Sequence, residues 1–139
     1  MSNTEDNTKS SQKENTISRA KLKKQLSPLA WKVTQEHGTE PPYSGEFNDF
    51  DQPGQYECIC CGSHLFTSEH KFNSQCGWPA FYKGLEDNIK ESMDYSHGMT
   101  RIEVTCSNCG SHLGHKFADG PYGTRYCINS VALEFKSFD

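Results

Sequence analysis

The stretch "TRIEVTCSNCGSHLGHKF", Thr100 to Phe117, decides the fold class. In its first part Ile102 and Val104 alternate with Arg101, Glu103 and Thr105, the two-residue period of a half-buried strand. Cys106 and Cys109 then stand two residues apart with Gly110 directly after them, a tight turn that aims both sulfurs at one point. Working outward, "QYECICCGSHLF" (55–66) and "RYCINSVALEF" (125–135) read as further strands bounded by Gly, Ser and Asn turns. In "VALEF", Val131, Leu133 and Phe135 alternate with Ala132 and Glu134. "CGSHLF" (61–66) is a near copy of the start of "CGSHLGHKF" (109–117), a pseudo-repeat of one cysteine knuckle. Strand follows strand with no long helix between, so the sheet is expected to be mostly antiparallel.

One short helix is expected, over residues 28–37. Ser27 is its N-cap, Pro28 its first position, Leu29, Ala30 and Val33 its apolar face, and Gly38 its stop. Residues 1–24 carry only Met1, Ile17, Ala20 and Leu22 as apolar side chains, too few to offset the entropy of ordering, and are expected to form a disordered tail before a single domain at 25–139.

The 139 residues hold no run approaching the ~20 apolar residues of a membrane span, and the N-terminus lacks the apolar core of a secretory signal. A net charge of −4 argues against a chain built to grip nucleic-acid phosphate. The expected location is the cytoplasm, with import into an organelle left open by the mixed charges of the tail. In a reducing compartment, seven patterned cysteines point to metal or redox chemistry before a disulfide framework.

Cys58 with Cys61, and Cys106 with Cys109, supply four thiolates, the ligand set of a closed tetrahedral structural Zn²⁺ site. A thioredoxin-like C-x-x-C motif would be single and would precede a helix, and neither condition holds. The long separation of the pairs makes the intervening chain a substantial part of the domain. Cys60, inside a knuckle, reads as a small core or surface thiol. Cys76 sits in "FNSQCGWPAF" beside Gly77, Trp78 and Pro79, and Cys127 lies between Arg125 and Asn129. Alone, Cys76 and Trp78 read equally well as core residues. Cations near a thiol lower its pKa, however, and Arg125, Cys127 and Asn129 alternate so as to share one strand face. His112 and His115 suit proton transfer, metal ligation or a solvated loop.

The blocks "CGWPAF", "HGMTRIEV", "CSNCGSHLGHKFADGP" and "RYCINSVALEF" resemble, in order, the signature of the methionine-R-sulfoxide reductases of the B type, from about Lys24 to Phe135. The resemblance implies a mainly β fold of two antiparallel sheets, with the short N-terminal helix and a remote zinc knuckle pair. It implies Cys127 as nucleophile, Cys76 as resolving cysteine and Trp78 as the wall that takes the substrate's methyl group. It places His112, His115, Asp119, Arg125 and Asn129 at the polar active-site positions and Phe117 at an aromatic one.

The implied reaction reduces the R epimer, peptide-bound by preference. Cys127 attacks the sulfoxide sulfur. His112 or His115, oriented by Asp119, protonates the oxygen. A sulfenic acid on Cys127 condenses with Cys76, and thioredoxin restores the thiols. The implied partners are oxidised proteins and thioredoxin, with no nucleic acid or membrane, and the chain is expected to be a monomer. Gln75, Lys116 and a short "ADGPYGTRYC" loop depart from the family pattern. A zinc-ribbon binding module is the competing class, and it leaves "CGWPAF" and "RYCINS" unexplained.

Overall fold

The computed structural model describes residues 18–138. Two helices lead the described residues. In α1 (Arg19–Gln25) the Ser18 side chain accepts from the Lys21 N–H, and Leu22 is buried. In α2 (Pro28–Glu36) Ser27 caps through the Ala30 N–H, and Ala30, Val33 and Thr34 face inward. The expected helix is thus found, one residue shorter. The expected tail lies outside the described residues over 1–17. Near its end α1 forms instead, because Leu22 finds an apolar seat in the main core.

Nine strands follow: β1 (Gly54–Cys58), β2 (His64–Thr67), β3 (Lys71–Phe72), β4 (Ala80–Phe81), β5 (Ile89–Asp94), β6 (Arg101–Cys106), β7 (His112–Phe117), β8 (Arg125–Ile128) and β9 (Leu133–Ser137). They form two sheets, β2-β1-β9 and β3-β4-β8-β7-β6-β5. Every pairing is antiparallel. "RYCINSVALEF" is not one continuous ladder. A 3-10 turn at Ser130–Ala132 breaks it, so β8 joins the large sheet and β9 the small one, and Val131 falls outside the strand. Among the described residues no helix is long and apolar enough to cross a membrane.

The core lies where the sheets meet. Phe66 of β2 stacks on Phe81 of β4 at 4.4 Å between centroids, and Tyr56 of β1 meets the same ring edge-on at 5.2 Å. All three rings are fully buried, each contributing about 1.5–3 kcal/mol of transfer free energy. Val104, Leu113 and Ile128 of the large sheet join Phe81 in this core.

The detail that matters for function is a bulge. β6 and β7 pair Val104 with Gly114 but Thr105 with His112, so β7 carries one extra residue, Leu113. Residues three apart on a regular strand point to opposite faces; the bulge turns His112 and His115 to the same face, their rings 5.4 Å apart. Cross-strand partners share a face. His115 pairs with Glu103 on one side and Cys127 on the other, Phe117 pairs with Arg125, and Arg101 with Asp94. One face of the large sheet therefore collects every one of these side chains.

Candidate active site and metal centre

The metal centre is built from two equivalent turns. The Gly62 N–H donates to the Cys58 carbonyl at 2.8 Å and the Gly110 N–H to the Cys106 carbonyl at 2.7 Å. Both glycines have φ near +80°, which a side chain disfavours. Each turn leads from the end of one strand into the next, so the pseudo-repeat in the sequence is a repeat in space. The Sγ atoms of Cys58 and Cys109 lie 3.6 Å apart, as do those of Cys61 and Cys106. All four sulfurs fall within 4.8 Å of one another and can hold one metal ion. Zn–S bonds of about 2.3 Å in a tetrahedron set sulfurs about 3.8 Å apart, so the donor set fits with almost no movement. One knuckle belongs to each sheet, so an ion there would tie the sheets together. Cys60 is buried beside the cluster and accepts from Gln35 Nε2 at 3.5 Å.

The second site is a pocket of about 90 Å³ whose walls include Trp78, His115, Phe117, Cys127 and Asn129, with Thr39 and Arg101. A depression of about 580 Å³ beside Tyr82 and Tyr122 is larger, but no cysteine lines it. Gly114 also lines the small pocket; a Cβ there would lie 2.0 Å from the Cys127 carbonyl oxygen, so only glycine lets β7 approach β8 this closely.

Trp78 is fixed by its indole N–H, which donates to the Glu40 carbonyl at 3.0 Å. The Asn129 side-chain oxygen accepts the Glu40 N–H at 2.9 Å, and its amide nitrogen donates to the Leu113 carbonyl at 2.9 Å. The expected alternation of Arg125, Cys127 and Asn129 ends early, since β8 stops at Ile128. Asn129 is 4% exposed and serves to hold the pocket walls; leaving such buried groups unpaired costs about 1–3 kcal/mol each.

The histidines are held by carboxylates the sequence reading did not single out. His115 Nε2 lies 2.8 Å from Asp94 Oδ2, and His112 Nδ1 lies 2.7 Å from Glu103 Oε2. Asp119 does not orient them. It sits in the loop after β7, 67% exposed, where Arg125 grips it with two hydrogen bonds of 2.8 and 3.2 Å. The strands that face β7 belong to Glu103 and, one step further, Asp94, and only they reach the rings. Arg125 also lies over the Phe117 ring at 4.4 Å, which fixes both. The His115 hydrogen bond holds the Asp94 carboxyl below its ordinary range, and Arg125 does the same for Asp119. Burial pushes the His112 imidazole down, so it is neutral at pH 7 and donates its Nδ1–H to Glu103.

Cys76 and Cys127, distant in sequence, lie with sulfurs 3.6 Å apart. The two thiols share a proton. The hydrogen bond from Cys127 draws the Cys76 thiol down to about 5, with Arg125 adding to the effect. That same bond, burial and the neighbouring charge push Cys127 up. The pair thus carries one negative charge at neutral pH, shared across the contact. A thiol with lowered pKa is charged above that pKa and neutral below it. Alkylation of Cys76 by iodoacetamide, followed by peptide mass spectrometry, is expected to stay fast from pH 8 to 6 and fall through pH 5. An ordinary thiol near 8.5 would already slow below pH 8, and that result would exclude the shared proton.

The SelR domain family matches residues 26–137. A peptide methionine sulfoxide reductase MsrB of Burkholderia mallei is 52% identical over 122 residues, 85% of each chain. One of Chromohalobacter salexigens is 56% identical over 115 residues, 80% of this chain and 86% of that one. Among solved structures, a Mis18 'Yippee-like' domain superposes with a TM-score of 0.53 at 15% identity, covering 63% of this chain and 99% of that one, a likeness of fold alone.

Proposed function

The chain belongs to the SelR family of peptide methionine sulfoxide reductases, and from that membership we propose that it reduces the R epimer of methionine sulfoxide in oxidised proteins, with Cys127 as nucleophile. The observation that carries this reading is that Cys127, and not Cys76, lines the pocket between Trp78, Phe117 and His115.

The proton shared across the short contact settles on Cys76, which leaves the Cys127 thiolate for attack. The Cys127 sulfur then bonds to the sulfoxide sulfur, whose oxygen takes a proton. His115, on the pocket wall and held at Nε2 by Asp94, is the donor; His112, buried and neutral, is not. The hydroxyl passes from the methionine sulfur to the Cys127 sulfur as the new S–S bond breaks, methionine leaves as the thioether, and Cys127 becomes a sulfenic acid. The Cys76 sulfur attacks it, hydroxide leaves as water, and a disulfide forms. A dithiol of the thioredoxin class restores both thiols by exchange. The four-cysteine centre takes Zn²⁺ as a structural ion.

Epimer choice follows from the walls. The Trp78 ring accepts the methyl group, and polar groups face the oxygen. The S epimer would set oxygen against the ring and leave the donors unpaired. Free methionine sulfoxide, separated into epimers and assayed with dithiothreitol, tests this. Consumption of R at least ~100-fold faster than S is expected, and equal rates would overturn the assignment.

A further inference from the structure

We propose that His37, Glu103 and His112 form a second metal site, for a divalent transition ion such as Zn²⁺, Co²⁺ or Ni²⁺.

Two imidazoles converge on one oxygen. His37 Nδ1 lies 2.8 Å from Glu103 Oε2, and His112 Nδ1 lies 2.7 Å from the same atom. The ligand atoms of the three residues fall within 4.8 Å of one another. Two histidines and a carboxylate, with positions left open, are a known ligand set for these ions, at about 2.0–2.2 Å per bond. Bonds of that length set neighbouring ligand atoms about 3 Å apart, close to the 2.8 and 2.7 Å that separate each Nδ1 from the shared oxygen.

The frame is fixed before any ion arrives. Glu103 and His112 sit on paired strands beside the bulge. His37 ends α2 in the left-handed region, at φ 56° and ψ 36°, strain of about 1 kcal/mol in a residue other than glycine. That conformation carries its ring across to Glu103 and to within 5.3 Å of the His112 ring. Access is open from one side only: the His37 side chain is 66% exposed, Glu103 14% and His112 2%.

When an ion replaces the Nδ1 proton, that proton moves to Nε2. The Nε2 of His112 is buried and has no hydrogen-bond partner among the described residues, so the exchange breaks no bond there.

The test uses protein already carrying one zinc per chain. Equilibrium dialysis against Co²⁺ and Ni²⁺ is run on the Cys127→Ser protein, which limits thiol binding outside the zinc site, and on the same protein with His37→Asn, since Asn tolerates the left-handed backbone. A second equivalent is expected in the first, weakened about 100-fold or more in the second, because even the loss of an indirect partner costs 10–100-fold. Uptake that never exceeds the resident zinc, or a second equivalent held equally with and without His37, overturns the site.

Discussion

Cys127→Ser is expected to lower dithiothreitol-driven reduction of methionine-R-sulfoxide by a factor on the order of 10⁴ or more, with the protein still folded. The change is nearly isosteric and lies on a side chain only partly buried, so the sheet tolerates it. The loss is chemical. A serine hydroxyl beside Cys76 does not become a nucleophile at neutral pH, and no other sulfur lines the pocket. Four decades correspond to about 5 kcal/mol of transition-state stabilisation, more than any packing change at this position supplies. Cys76→Ser separates the two halves of the cycle. Dithiothreitol reduces the sulfenic acid directly, so turnover with that reductant should survive. Thioredoxin-driven turnover should collapse, because no disulfide forms for it to attack. Retained R-epimer activity in Cys127→Ser, measured with either reductant, would sink the catalytic assignment.

The strands, the α2 helix and the knuckle pair were legible because their signals are local. Ile102 and Val104 announce β6 by period, Ser27 and Pro28 announce α2 by capping, and Gly62 and Gly110 announce the turns by conformational need. What was hidden depends on register. "IKESMD" forms β5 although only Ile89 is buried at its start, since an edge strand paired on one side needs no alternating apolar face. The bulge at Leu113 has no signature in "HLGHKF", yet it turns His112 toward His115. Without it a regular strand would have sent the two rings to opposite faces. The choice of Asp119 as their orienter followed sequence proximity. The carboxylates that hold them, Asp94 and Glu103, come from β5 and β6, and only the sheet order places them. Glu40 was missed for a related reason. Its backbone clamps Trp78 and Asn129, and backbone contacts leave no mark on residue choice.

The second large effect is expected at the other end of β6. Cys106→Ser should reduce bound zinc from one per chain to well under half, and the purified protein should unfold at physiological temperature. The argument compares two magnitudes. A four-thiolate zinc site contributes about 10–16 kcal/mol of binding free energy that exists only in the folded state. A domain of this size has a net stability of only about 5–15 kcal/mol. An ion held there would therefore be a dominant part of what keeps the fold, and a hydroxyl is a poor substitute for a thiolate on zinc. The position magnifies the effect. Cys58 and Cys61 flank the turn from β1 to β2 in the small sheet, and Cys106 and Cys109 the turn from β6 to β7 in the large one. Losing such an ion would release a link between sheets that also meet through the aromatic stack around Phe66 and Phe81 and its neighbours. Cys60→Ser is the matched control, because Cys60 is buried beside the cluster but stands outside the knuckle spacing. It should keep its zinc and lose little stability. Metal content by atomic emission and thermal unfolding by circular dichroism check both variants. Full zinc in Cys106→Ser, or its loss in Cys60→Ser alone, would mean that the ligand set is not Cys58, Cys61, Cys106 and Cys109.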